Sequence, residues 1–85
     1  MTHKASPDFW AAFEKLPPAV QRLARRNFEL LKSDPRHPSL HFKKVARFRS
    51  ARVGISYRAL AVEDGADLVW FWIGSHATYD KIIAS

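Results

Sequence analysis

The chain has 85 residues, 47% of them hydrophobic and 13% aromatic, and fourteen Lys and Arg against eight Asp and Glu give a net charge of +6. One domain spanning residues 1–85 is expected, since a usual domain runs to roughly 100–150 residues and so aromatic a chain is no disordered tail. The absence of Cys excludes disulfides, thiolate catalysis and cysteine metal sites, and no apolar run approaches the roughly 18–20 residues of a membrane span.

The N-terminal MTHKASPDFW has no apolar signal-peptide core, so a cytoplasmic location is expected. Ser6-Pro7-Asp8 reads as an N-cap, a first-turn proline and an early acid, opening a short helix through Phe9, Trp10 and Phe13. Leu16-Pro17-Pro18 ends it. Pro18 then begins a second helix whose Val20, Leu23, Ala24, Phe28 and Leu31 recur at helical spacing as a core face, with Arg22, Arg25, Arg26, Glu29 and Lys32 opposite. The turn residues of Ser33 to Ser39, with two prolines, stop this helix.

After Pro38 the period changes to two. Leu40, Phe42, Ala46 and Phe48 alternate with His41, Lys43, Val45, Arg47 and Arg49, which predicts a strand with most of its cations on one face, although Lys44 breaks the pattern. Ser50 to Val53 and Tyr57 to Val62 flank Gly54-Ile55-Ser56, a tight hairpin, and Asp64-Gly65 makes a second turn before Leu68 to Ile73. That last strand has no polar face, so it is central or covered on both sides. Ser75 is placed to cap a closing helix through His76, Tyr79, Ile82 and Ile83. The fold class is therefore α+β: an N-terminal two-helix hairpin on a small, mostly antiparallel sheet of about four strands, with a short C-terminal helix.

Charge is segregated as well as unbalanced. Arg36, Lys43, Lys44, Arg47, Arg49, Arg52 and Arg58 fall in one stretch without an acid, as on a surface that binds phosphates or docks an acidic protein segment; the alternative is a solvated face. If Gly54-Ile55-Ser56 is a three-residue loop, Arg52 lies opposite Arg58 on one sheet face. Like charges so placed are destabilising by up to roughly 1 kcal/mol unless an anion or a partner's acidic side chain sits between them, or unless each Arg pairs with Glu63, Asp64 or Asp67 or points away to solvent.

His76 and Tyr79, one helical turn apart, can face one spot beside the end of the last strand, where an imidazole and a phenol can move protons. They can equally be ordinary hydrogen-bonding residues at the edge of a core. Trp70 and Trp72, two apart, point to one strand face and suit either base stacking or core packing. No metal site is expected, since Pro38 between His37 and His41 denies them a shared helical face, and the three Gly are isolated rather than forming a phosphate loop.

The segments LPPAVQRLARRNFELLKSDPRHPSLHFKKV, SARVGISYRALAV and DLVWFWIGSHATYDKII together resemble the RelE/ParE superfamily of toxins from type II toxin–antitoxin modules, of the RelE/HigB-like kind. The likeness covers nearly the whole chain. It implies a toxin that inhibits translation as an mRNA endoribonuclease (an mRNA interferase), commonly on the ribosome, by 2′-hydroxyl attack with neither metal nor cofactor. The other branch implies a non-nucleolytic inhibitor of DNA gyrase, and a degenerate, non-toxic member is a third reading. Either branch implies a cognate antitoxin as partner, and no membrane. Matched position by position, Arg52 and Arg58 look like the arginines that hold the scissile phosphate, and His76 and Tyr79 like the acid–base residues. Lys43 and Lys44 fall where such toxins carry cationic strand residues, and His41, Arg47 and Arg49 are expected to add to the RNA-binding surface.

Overall fold

In the computed structural model, which describes residues 2–84, Ser6 caps the first helix: its hydroxyl accepts from the Phe9 N–H at 3.4 Å and Pro7 fills the first turn. Helix α1 (Pro7–Glu14) ends before the two prolines, and α2 (Pro18–Ser33) starts on the second of them. Gln21 ties the pair together, its Nε2 donating to the Phe13 and Leu16 carbonyls at 3.2 and 3.1 Å. These bonds clamp the start of α2 onto the end of α1 and the turn that follows it.

The remaining chain builds one five-stranded sheet in the order β1-β5-β4-β3-β2, from β1 (Thr2–Ala5), β2 (Lys43–Val45), β3 (Phe48–Val53), β4 (Tyr57–Asp64) and β5 (Asp67–Ser75), followed by α3 (His76–Ala84). The expected fold class holds, with one strand more than sequence periodicity suggests. β1 pairs in parallel with β5, while the other ladders are antiparallel. β5 thus lies inside the sheet, as its lack of a polar face requires.

The expected strand over residues 40–49 is broken. Pro38–Leu40 forms a 3₁₀ turn, His41 and Ala46 take left-handed φ values of 43° and 55°, and β2 turns into β3 through Ala46-Arg47 alone, with Val45 opposite Phe48. A two-residue loop with positive φ at its first central position matches the right-handed twist of the flanking strands.

α1 and α2 cover one face of the sheet. Phe13, Leu31, Ala51, Val53, Ala59, Ala61, Leu68, Trp70 and Ile73 form the core there, and Leu23 packs close enough to Gly54 that a Cβ would come within 2.9 Å of it. With φ at +66°, Gly54 is needed twice over. Phe28 departs from its expected place in the core: it and Trp10 remain exposed at the mouth of an apolar cleft of about 520 Å³, lined by both helices and the sheet.

A single irregularity decides what the other face carries. Ala61 pairs with Trp70 but Leu60 with Trp72, so Phe71 is an extra residue and β5 is bulged. A bulge shifts the in–out alternation by one. Trp70 therefore joins the helix-side core, whereas Trp72 turns to the opposite face, and the expectation that the two share a face is corrected.

Candidate functional site

The face turned away from α1 and α2 carries the candidate site. Tyr57 is the cross-strand partner of Val53, so Gly54-Ile55-Ser56 is a three-residue loop and Arg52 stands directly across from Arg58. Asn27 of α2 donates its Nδ2 to the Arg52 carbonyl at 3.3 Å, fixing this strand end against the helix layer. Arg52 Nε donates to the Gly54 carbonyl at 3.1 Å, and Arg58 Nη1 donates to the Tyr57 carbonyl at 2.9 Å. Neither guanidinium pairs with a carboxylate among the described ion pairs; Glu63 is taken by Arg49 at 2.9 Å and Asp67 by Lys4 at 3.1 Å. These bonds hold the Glu63 and Asp67 carboxyls below their ordinary range, and the Asp67 contact raises the Lys4 ammonium. Two of the three acids that might have neutralised the arginine pair, Glu63 and Asp67, are engaged elsewhere.

His41 lies beside the pair, with Nε2 3.3 Å from Arg52 Nη1. A guanidinium only donates, so this imidazole nitrogen is placed as the acceptor. Its left-handed φ of 43° is an uncommon backbone state for a side-chain-bearing residue, of the kind that gathers at functional sites.

On the other side, α3 brings up the second candidate group. Ser75 caps this helix, accepting from the Thr78 N–H at 3.3 Å, and the His76 N–H donates to the Ser56 carbonyl at 2.8 Å, joining the helix start to the β3–β4 turn. His76 and Tyr79 stack with ring centroids 5.8 Å apart, and the Arg58 guanidinium carbon lies 6.0 Å from the Tyr79 ring centroid. Asp80, which sequence spacing did not single out, places Oδ2 3.3 Å from His76 Nδ1. A carboxylate on Nδ1 leaves Nε2 as the nitrogen turned to a reacting group.

Strand register sorts the remaining cations. Lys43, opposite Ser50, shares the face of Arg52 and Arg58; Lys44, opposite Arg49, lies on the helix side with Arg49. The expected single cationic face therefore excludes Arg49, because the β2–β3 hairpin sets its own alternation and Glu63 binds Arg49 on that side, while Lys44 lies off that face as its break in the pattern indicates. Arg47 sits in the hairpin loop with its guanidinium 5.2 Å from the Phe48 ring centroid. Among the described residues no group of three or more His, Asp or Glu side chains is placed to hold a metal ion, and no helix is long and apolar enough to cross a membrane.

A helical pair on a mostly antiparallel sheet closed by a C-terminal helix is the fold of the RelE/ParE superfamily. More narrowly, residues 18–81 match the family profile of the ParE-like toxin domain, and the chain belongs to that family. Solved structures agree on the fold. The RelB–RelE antitoxin–toxin complex of Methanococcus jannaschii superposes with a TM-score of 0.72 at 13% identity, over 93% of this chain and 96% of that one. The RelBE2 toxin–antitoxin complex of Mycobacterium tuberculosis gives 0.65 at 21% identity, over 88% and 96%. The isolated RelE toxin of E. coli gives 0.63 at 10% identity, over 98% and 95%. No curated protein sequence matches the chain significantly.

Proposed function

We propose that the chain is an mRNA endoribonuclease of a toxin–antitoxin module. The observation that carries this reading is the Arg52–Arg58 cross-strand pair without a carboxylate, flanked by the His76–Tyr79 stack. Two facing guanidinium groups match a phosphate and the extra charge of a phosphorane, with Lys43 on the same face assisting. The reaction is a transesterification: the 2′-oxygen loses its proton and bonds to phosphorus, the bond to the 5′-oxygen breaks, and that oxygen is protonated as it leaves. His76 and Tyr79 share the two proton transfers, and Asp80 orients the imidazole. Lys43, Arg52 and Arg58 share one sheet face, and His76, Tyr79 and Asp80 come from α3 beside it. No step calls for a cofactor.

The match to a ParE-like family profile favours a second reading, inhibition of DNA gyrase through the same basic face. In either case an antitoxin is the natural partner, as in the RelB–RelE and RelBE2 complexes. The exposed Trp10 and Phe28 at the apolar cleft and the open cationic face suit an amphipathic, acidic segment.

Primer extension on a translated mRNA after induction of the chain, beside its Arg58→Ala variant, separates these readings. New 5′ ends with the unaltered chain alone are expected. Growth arrest without new ends overturns the nuclease reading in favour of gyrase, and neither ends nor arrest leaves a docking face without toxicity.

A further inference from the structure

The bulge in β5 moves more than register. Phe71, the extra residue, reaches Phe48 across the sheet with ring centroids 5.5 Å apart, and Trp72 faces the same side as Arg52 and Arg58. All three aromatics are partly exposed. The Trp72 ring packs against Gly74, where a Cβ would come within 2.5 Å of the indole. Gly74 is the cross-strand partner of Arg58. The indole is therefore held about one interstrand spacing, roughly 5 Å, from the backbone that carries a phosphate-binding arginine.

A tryptophan on this face is unusual on elementary grounds. Burial against the helices was available on the other side, where Trp70 took it, and an unbulged strand would have sent both rings there. Instead one ring lies half-covered over Gly74 beside Arg58, on the face that also carries Arg52 and Lys43. Cations that follow a phosphate chain, beside partly exposed aromatic rings, are the parts of a single-strand binding platform.

We infer that Trp72 stacks the base adjacent to the phosphate held by Arg52 and Arg58, with Phe71 continuing the platform toward Phe48, and that this stacking sets the base preference of the site. The inference rests on the nuclease reading and deepens it. Because every base has a π-face, the platform accepts all four, and purines with their larger faces are favoured. The acidic residues on this face, Asp64 and Asp67, lie at the far end of β4 and β5, so a nucleic-acid strand is favoured near the arginines and an acidic protein segment gains nothing from the indole.

The test uses the full chain in a Trp10→Phe background and a 2′-O-methyl oligoadenylate, which has no nucleophilic hydroxyl and is not cut. Binding by anisotropy, with quenching of tryptophan emission, is expected. Trp72→Leu should weaken binding about ten- to a hundredfold and Trp72→Phe only a few-fold, with the quench lost in both. An oligomer of equal length lacking bases should bind the unaltered chain as weakly as the Leu variant binds oligoadenylate. That last comparison needs no variant, so a misfolded Trp72→Leu protein leaves the proposal open to refutation. Equal binding of the base-free oligomer, or an unchanged quench in Trp72→Phe, overturns the stacking role alone. If the unaltered chain binds neither oligomer and cuts no mRNA, the nuclease reading falls and this inference with it.

Discussion

Arg52 and Arg58 face each other across the β3–β4 ladder, one guanidinium turned to the Gly54 carbonyl and the other to the Tyr57 carbonyl. Directly opposed like charges cost the empty fold up to about 1 kcal/mol. Arg58→Gln should therefore raise stability by up to about that amount in dilute buffer free of multivalent anions, while abolishing cleavage. Sulfate should narrow the gap by stabilising the unaltered chain more than the variant. Thermal unfolding of both proteins, with and without millimolar sulfate, checks this; a variant that melts clearly lower in dilute buffer would mean that the pair is not strained.

The 3.3 Å contact between Asp80 Oδ2 and His76 Nδ1 is exposed, so its value lies in orientation rather than in stability. Asp80→Asn should lower the cleavage rate about tenfold with little change in RNA affinity or melting temperature, whereas His76→Ala should lower it about a hundredfold, the lower end of what positioned acid–base groups contribute. Single-turnover cleavage and a binding titration separate the two effects. Equal rates for Asp80→Asn and the unaltered chain would remove Asp80 from the site.

These residues show how far a sequence carries the structure. The β3–β4 register was legible because Gly54 marks a loop of fixed length, which placed Arg52 opposite Arg58. The capping of α3 by Ser75 was legible for the same kind of local reason. β1 was not, since Thr2–Ala5 is short and polar and is held as a strand by ladder bonds to β5 at the far end of the chain. The bulge at Phe71 escaped notice because it is a relation between two strands and not a property of either. Arg49 leaves its expected face for a like reason, since the alternation does not continue through the Ala46-Arg47 turn.

β1 also carries the clearest pH dependence. His3 Nδ1 accepts from Trp70 Nε1 at 3.0 Å, and its ring meets Phe28 edge-on. Burial holds this imidazole below its ordinary range, helped by the N-terminal ammonium and by Lys32. A depressed imidazole favours the fold fully above about pH 6.5, and that contribution is lost as the pH falls below it, because the unfolded chain takes up the proton first. His3→Asn keeps an acceptor for Trp70 but does not titrate, so its melting temperature should fall less than that of the unaltered chain between pH 7.5 and 5. The carboxyls of Glu63 and Asp67, held below their ordinary range, stay outside this window. Parallel melting curves for the two proteins would show His3 to be irrelevant.

Ala46 gives the last prediction, and it bears on the placement of Lys43. With φ at 55° as the first of two loop residues, Ala46 occupies a position where a Cβ meets the neighbouring backbone and where glycine is the favoured residue. Ala46→Gly relieves roughly 1 kcal/mol of that strain, partly offset by the greater freedom glycine gives the unfolded chain. The net effect should be a gain of a few tenths of a kcal/mol, read as a higher urea midpoint at constant slope. If the hairpin had another register, with Ala46 in extended backbone, the same substitution would lower the midpoint and Lys43 would leave the face of Arg52 and Arg58. A single denaturation curve thus reports on whether the β2–β3 turn directs a lysine toward the site.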